Sequence, residues 1–416
     1  MNQILRLAEK CFIVLGLTFF SGVFGIHSLG ILLPKALVTL IRFFVWGGST
    51  FLVCIFWKNT IKMVSQNILI CILSALAFLS FIWSELPEFT WFNSRDIWMM
   101  TFFALYFATR FSLKEQVEII AYTLLIGSIL SVIFVIGLPG IGKEVDSDHL
   151  GAWKGLYGHK NLFGSMMVLK SLTFFTLPKN NLKIYKWGGF SLAIFLIILS
   201  TSKTSLVVTS LLILIIFFYK NFRWRGKLSV IFIDIAILIL GCVALLVFSY
   251  WVELLTGLGR DPTLTGRTPI WSLMIARLTE KPLLGYGRGA FFAPKSRYGI
   301  EAGQIVGTGW IPPHGHNGLI DLAIDLGLIG LSLFLITYFT SFARSLKLAY
   351  AAKNVENIWP LAYLIFLLMN NITESLLMYQ TNIFWVLFIT TVFTLSQKSQ
   401  IKQNNNLTKH NYPYAT

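Results

Sequence analysis

"HGHNGLIDLAIDLGLIGLSLFLITYFTSF", residues 314–342, changes character within a few positions. His314, His316 and Asn317 give way to a run in which Asp321 and Asp325 are the last charges before Phe342. Crossing the hydrocarbon core of a bilayer, about 30 Å thick, takes roughly 20 predominantly apolar residues in a helix. The stretch 317–342 therefore predicts a membrane-spanning helix entered from a polar loop. The crossing itself does not need the histidine–asparagine cluster, which marks the helix entrance as a place to look for chemistry.

Outward from this stretch the same pattern recurs. Apolar runs near 11–33, 36–56, 67–83, 97–110, 117–138, 161–178, 186–201, 204–219, 228–250, 358–376 and 379–396 are separated by short polar clusters. The chain is 56% hydrophobic and 12% charged. Soluble domains are about a quarter charged, so the surplus apolar surface needs lipid to cover it. The expected fold is all-α: a polytopic integral membrane protein with about twelve transmembrane helices and a large extracytoplasmic loop, 251–316, between helices 9 and 10. The Ser200–Lys203 break fits either two short helices or one interrupted helix. Residues 1–150 are read as N-terminal transmembrane helices, 151–396 as a core that includes the loop, and 397–416 as a polar, disordered cytoplasmic tail. The opening MNQILRLAEK leads into an apolar stretch without an A-x-A cleavage pattern, which predicts a retained first helix. Cys11, Cys54, Cys71 and Cys242 fall in expected spans without metal-ligand spacing and read as small core hydrophobes.

Orientation follows from the cations. Lys58, Lys62, Arg110, Lys114, Lys179, Lys183, Lys186, Lys220, Arg223, Arg225, Lys227, Arg344, Lys347 and Lys353 fall in alternate loops, which makes that side, and both termini, cytoplasmic. This distribution accounts for the net charge of +16 without nucleic acid, for which the chain offers no soluble basic domain. The loop 251–316 runs against the rule: it faces outward, yet carries Arg260, Arg267, Arg277, Lys281, Arg288, Lys295 and Arg297 against few acids. Such charge points to a local use, holding an anionic ligand. Within it, "GRTPIWSLMIARLTEKP" predicts a helix, with Thr268 to cap, Pro269 in the first turn and Pro282 beyond its end. Ile270, Trp271, Met274, Ile275 and Leu278 give that helix an apolar face, to lie on the membrane or roof a cavity. The glycines of "LLGYGRGAFFAP" allow close backbone approach to a ligand.

Taken together these pieces resemble the O-antigen ligase and Wzy-type polysaccharide polymerase family. Gly266-Arg267, Ile270-Trp271, Pro282, Gly285, Gly287, His316-Asn317 and Asp325-Leu326-Gly327 fall in register with the family pattern. "GHKNLFG" (158–164) and "TSKTS" (201–205) are similar to segments of its exopolysaccharide-polymerase branch. The resemblance covers roughly 150–345, and the remaining helices only by topology.

The resemblance implies a glycosyltransferase that joins a polyprenyl-pyrophosphate-linked glycan to an acceptor sugar hydroxyl on the periplasmic face of the bacterial inner membrane. The acceptor is a growing glycan in a polymerase, the favoured reading, or lipid A-core in a ligase; a chain-length regulator is a further partner. The donor is already activated, so no cofactor or metal is expected. Two jobs remain, stabilising charge on the departing pyrophosphate and taking the proton of the hydroxyl. Arginine suits the first through its fixed fork of donors, and histidine the second through its titration near neutrality. His316 is the candidate base and Arg267 the leading pyrophosphate ligand. Arg288, Lys203 and Arg260 are candidate donor contacts; family members often carry arginine at the Lys203 position, and lysine lacks the bidentate grip. Asn317 caps the helix or orients His316. His314, which lacks the family position, is a loop residue or a supporting partner. His159, Lys160 and Asn161, at the start of the sixth span, line the same cavity or anchor it at the interface. Glu374 binds acceptor sugar or pairs with a basic loop residue, and Trp310 and Tyr286 are candidates for stacking on sugar rings.

The main rival is a transporter or flippase, since many carriers have about twelve spans. A carrier built of two six-helix halves has its long loop in the middle and on the cytoplasmic side. Here the long loop follows the ninth span and points outward, and the halves show no repeat. Scaffolding or polymerising proteins of the shape-and-division type share many spans but not the arginine–histidine series.

Overall fold

The computed structural model describes residues 3–25, 29–145, 149–178, 180–221, 267–307, 311–351 and 354–411. Among them the regular structure is helical, with one isolated bridge between Lys143 and Trp153. The helices are α1 (Gln3–Phe20), α2 (Lys35–Ile55), α3 (Trp57–Ser65), α4 (Ile68–Leu79), α5 (Pro87–Arg110), α6 (Leu113–Gly137) and the single turn α7 (Pro139–Gly142). They continue as α8 (Lys160–Phe175), α9 (Lys183–Leu199), α10 (Lys203–Asn221), α11 (Arg267–Leu278), α12 (Arg297–Ile305), α13 (Gly318–Ala351), α14 (Trp359–Asn371) and α15 (Ile383–Asn411). The expected span 228–250, with Cys242 and the candidate Arg260, lies outside the described residues.

One apolar cluster runs from Ile13 on α1 to Leu395 on α15, so N-terminal and C-terminal helices share a core. α5 packs against α2, α4 and α15; α13 against α4, α11, α14 and α15; and α8 against α6, α9, α10 and α14. Among the described residues, three helices are long and apolar enough to cross a bilayer by themselves: Lys35–Ile55, Leu113–Gly137 and Gly318–Ala349. Trp57–Ser65 and Ile68–Ile82 form a further apolar pair, bent by 95°. On α2, Leu40, Phe43, Phe44 and Phe51 are all more than half exposed. Contiguous apolar surface of this extent is stable against lipid and costly in water. The chain is an integral membrane protein.

Local departures from the sequence expectation have physical causes. α1 begins at Gln3 and ends at Phe20, instead of spanning 11–33, because its polar first turns are paired across the fold. Arg6 meets Glu115 at 2.5 Å, and Arg110 meets Glu9 at 2.8 Å. The 186–219 region is two helices, α9 and α10, broken at Thr201, whose φ is +52°. α15 continues to Asn411, past the end of the apolar pattern, since extending a formed helix costs far less than starting one. Cys11 and Cys54 are exposed and so are not core residues, while Cys71 is half-buried and packs against the core.

The loop after α11 and the break in α13 complete each other. At Gly327 the helix leaves α geometry, with φ +67° and ψ −172°. The amides of Leu328 and Ile329, which would bond the carbonyls four residues back, donate instead to Pro282 O (2.7 Å) and Leu283 O (3.3 Å). The carbonyls they abandon, on Ile324 and Asp325, accept from Tyr286 N (2.9 Å) and Gly287 N (3.0 Å). These four groups freed by the break are thus taken up by one loop, as backbone inside a bilayer requires. The glycines of the loop serve this approach to a helix: a Cβ on Gly285 would stand 2.4 Å from Ile324 O.

Candidate functional site

The entrance to α13 is held from several sides. Asn317 is its cap: Oδ1 accepts from Leu319 N at 3.1 Å and Ile320 N at 3.2 Å. Just before it, the Gly315 carbonyl accepts from Trp271 Nε1 at 2.6 Å, and the Gly315 amide donates to Asp321 Oδ1 at 2.8 Å. The Asp321 carboxylate also takes the hydroxyl of Ser375. Between these fixed points the chain turns through His316 with φ +56°, a conformation uncommon for a residue other than glycine.

The facing loop, between α14 and α15, is shaped by Asn371, whose Oδ1 accepts from Leu376 N (2.9 Å) and Leu377 N (3.1 Å). A Cβ on Gly318 would lie 1.9 Å from that same oxygen, so the glycine lets loop and helix start close on each other. Gly318 N then donates to Glu374 O at 3.2 Å.

Glu374 becomes the centre of the site. Its Oε2 is 3.8 Å from His316 Nδ1, and its Oε1 is 3.6 Å from Arg267 Nη2. Asn161 Nδ2, from the first turn of α8, donates to Oε1 at 2.9 Å. Arg267, the first residue of α11, also donates from Nη1 to Thr373 O at 2.7 Å. Burial alone would raise the Glu374 carboxyl; His316 and then Arg267 outweigh it and hold the group below the usual carboxylate range. The carboxylate is therefore ionised. His316 Nδ1 is buried and has no hydrogen-bond partner among the described residues, with Glu374 the acid nearest to it.

His314 stands beside this centre. Its ring is 4.3 Å from that of His316 and 5.4 Å from that of Tyr379, and its Nδ1 accepts from His316 N at 3.2 Å. Burial first, and the neighbouring His316 second, push its imidazole down to about 3, so it stays neutral at working pH and keeps its acceptor.

The structure thus brings together Arg267, His316, Asn317, Glu374 and Asn161, with His314 in support. Of the alternatives for Glu374 it displays the pairing with basic residues, and of those for Asn317, capping. His159 and Lys160 adjoin the cluster through Asn161 but answer to Glu144, whose Oε1 accepts from Lys160 N at 2.8 Å and lies 3.7 Å from His159 Nε2.

Other candidates are placed elsewhere. Arg288, expected as a donor contact, is almost fully buried and spends its guanidinium on the carbonyls of Asn93 and Met378. Lys203 is exposed at the start of α10, with no contact to the cluster. Arg297 pairs with Glu85 at 3.6 Å. Tyr286 is buried, its hydroxyl donating to Arg277 O at 2.8 Å, so it cannot stack on a sugar. Arg260 and Trp310 lie outside the described residues.

Sequence reasoning passed over Asp321 and Glu144. A carboxylate one turn inside a spanning helix is expensive in lipid, and that was the signal Asp321 offered. Glu144 carried none, because its partners lie in an irregular segment.

Comparison with known proteins agrees with this geometry. Residues 188–335 match the family model described as O-antigen ligase. The exopolysaccharide production protein ExoQ of Rhizobium meliloti is 31% identical over 183 residues, 42% of this chain and 41% of that protein. Two proteins named as polysaccharide ligases are similar over shorter stretches. That of Rickettsia felis is 34% identical over 83 residues and that of Rickettsia conorii 36% over 85, each 19% of both chains. The chain thus spans about two fifths of the first relative's length and about a fifth of the others'. The matched segment holds Arg267, His316 and the α13 break, and over that segment the chain is similar to the O-antigen ligase/Wzy-type family.

Proposed function

We propose that the protein is a membrane glycosyltransferase of exopolysaccharide synthesis. It transfers glycan from a polyprenyl-pyrophosphate donor to the hydroxyl of an acceptor sugar, at the periplasmic side of the bacterial inner membrane. The observation that carries the reading is the convergence of Arg267, His316 and Glu374 at the mouth of α13. A carboxylate at Nδ1 favours the tautomer that carries its proton there, which leaves Nε2 as the base toward an incoming hydroxyl. The 3.8 Å separation is longer than a hydrogen bond, as is common for catalytic pairs without substrate. Arg267 gives Thr373 one of its five N–H groups and turns Nη2 toward Glu374; the N–H groups that remain suit phosphate oxygens, whose charge grows as the glycosidic bond to pyrophosphate breaks. The hydroxyl proton passes to His316, the hydroxyl oxygen bonds to the anomeric carbon, and polyprenyl pyrophosphate departs.

Polymerase is favoured over ligase on the segments 158–164 and 201–205, which are similar to the exopolysaccharide-polymerase branch; the similarity to a protein named for exopolysaccharide production, longer than either ligase match, supports the exopolysaccharide setting. Transfer to lipid A-core or another acceptor is the second reading. The about twelve spans and cytoplasmic termini of the sequence reading belong to this proposal too.

The test is reconstitution with purified lipid-pyrophosphate repeat units. A product ladder without added acceptor marks a polymerase, and transfer only when lipid A-core is supplied marks a ligase. His316→Ala and Arg267→Ala should each reduce transfer by at least about 100-fold, with insertion and folding intact. Transfer at the wild-type rate in either variant sinks the assignment, and absence of any transfer by the wild type revives a transporter.

A further inference from the structure

A cavity of about 940 Å³ lies on the far side of the Arg288 wall, between α2, the start of α5 and the loop 293–295. Its size is at the upper end of the roughly 300–1,000 Å³ usual for small-molecule sites. Arg42 and Lys295 bring positive charge to it, and Glu88 and Asp96 negative charge. Among the described residues none of these four is held in a direct ion pair. Arg42 Nε is buried without a hydrogen-bond partner. Glu85, also in the lining, is already engaged by Lys281 at 2.7 Å.

The lining also contains two amides and two aromatic rings. The side chains of Asn93 and Gln380 hydrogen-bond each other at the wall, while Phe89 and Phe92 supply apolar faces. An apolar ligand would leave Arg42 and Asp96 desolvated and unpaired. A pyrophosphate would meet as many carboxylates as cations. What satisfies such a lining is a neutral molecule rich in hydroxyls, with C–H faces for the rings. The cavity also has a short path to the proposed chemistry. Gln380 lines it, the next residue back, Tyr379, stands 5.4 Å from the His314 ring, and that ring stands 4.3 Å from His316.

We propose that this cavity is a carbohydrate-binding site that holds uncharged sugar units of a glycan chain, donor or acceptor, beyond the sugar that reacts. The assignment of those sugars to a transfer reaction rests on the function proposed above; the affinity for sugar does not.

The test uses the full chain in lipid nanodiscs and, as probe, fluorescently tagged neutral oligosaccharides of a few sugars, released from the producing cell's own polysaccharide. Phe92 and Lys295 are exposed, so Phe92→Ala and Lys295→Ala should fold; Glu88→Gln and Arg42→Gln complete the set. Each should weaken binding by roughly 10-fold, about the loss of one or two hydrogen bonds or a ring contact, while Gly188→Ala, in open space on α9, binds as the wild type does. In the transfer assay a raised KM for the lipid-linked donor assigns the cavity to the donor glycan, and a raised KM for the acceptor assigns it to the acceptor chain. Wild-type binding by all four variants overturns the proposal, as does displacement of the oligosaccharide by inorganic pyrophosphate. Binding weakened in the variants of a protein that transfers nothing would uphold the sugar site and sink the transferase reading.

Discussion

His314 and Glu374 are neighbours whose ionisation the fold pushes in the same direction on the pH scale for opposite reasons. Glu374 is held below the carboxylate range because His316 and Arg267 outweigh its burial. Its contribution to stability is present above about pH 4.3, the usual glutamate value, and is lost as pH falls further. His314 is pushed down to about 3 by burial. Between about pH 6.5 and 3 the unfolded chain therefore binds a proton at this position that the folded chain refuses, so stability falls as pH falls through that window. The melting temperature in nanodiscs should decline in two stages on acidification, first from about pH 6.5 and again below about pH 4.5. His314→Asn, which keeps a polar side chain without the titration, should flatten the first stage and leave the second. An unchanged first stage in that variant would mean that His314 is already accessible to protons in the folded protein. At this scale the sequence revealed residue types but not their couplings. His316 and Arg267 were singled out by their register with the family pattern and by a chemistry that wants a base and a cation, and their roles belong to the proposal. That one glutamate 58 residues after His316 joins them depends on Asn371 and Gly318 closing two loops together.

At the scale of elements, the exchange between the 282–289 loop and the α13 break explains why two glycine-bearing segments, about forty residues apart, accompany each other. The sequence reading took the glycines of the loop for close approach to a ligand. Gly285 does permit close approach, but to the backbone of α13, and Gly287 closes on Ser84, a distinction that composition cannot make. Gly327 is the sharpest position. A Cβ there would stand 2.1 Å from Leu283 O, on a backbone with φ +67° and ψ −172° that L side chains rarely adopt. Gly327→Ala should destabilise the protein by at least about 2 kcal/mol and lower both the melting temperature and the yield of monodisperse protein. Gly188→Ala is the control: it lies within α9 with nothing within 4 Å of the added Cβ, so it should be neutral or stabilise by up to about 1 kcal/mol. Equal stability of Gly327→Ala and wild type would show that α13 can run straight without the loop.

For the molecule as a whole, apolar runs were a sound guide to helices because lipid rewards a period-independent apolar segment of fixed length. They located α2 and α6 within a few residues and α13 at its start, although α13 runs past Phe342 to Ala351. They placed α1 poorly, because its charges are neutralised by α5 and α6, and they gave no sign of α12, a short helix in the loop. The excess of cations in that loop is also partly internal: Arg277 pairs with Glu280 and Glu301, and Lys281 and Arg297 share Glu85. Of the described basic residues first read as attraction for an anion, Arg267 is the one the fold carries to His316. The positive-inside argument loses little by this, since it rests on short loops and not on 251–316. It makes a definite prediction with two exposed positions, Thr279 after α11 and Lys183 at the start of α9. In a chain whose four native cysteines are replaced, Thr279→Cys should react with a membrane-impermeant maleimide applied from the periplasmic side. Lys183→Cys should react only after the membrane is permeabilised. The reverse pattern would turn the molecule over and put Arg267 and His316 on the cytoplasmic face. Reaction at both positions in sealed membranes would mean that α9, α10 and the expected span 228–250 do not together separate the two sides as proposed.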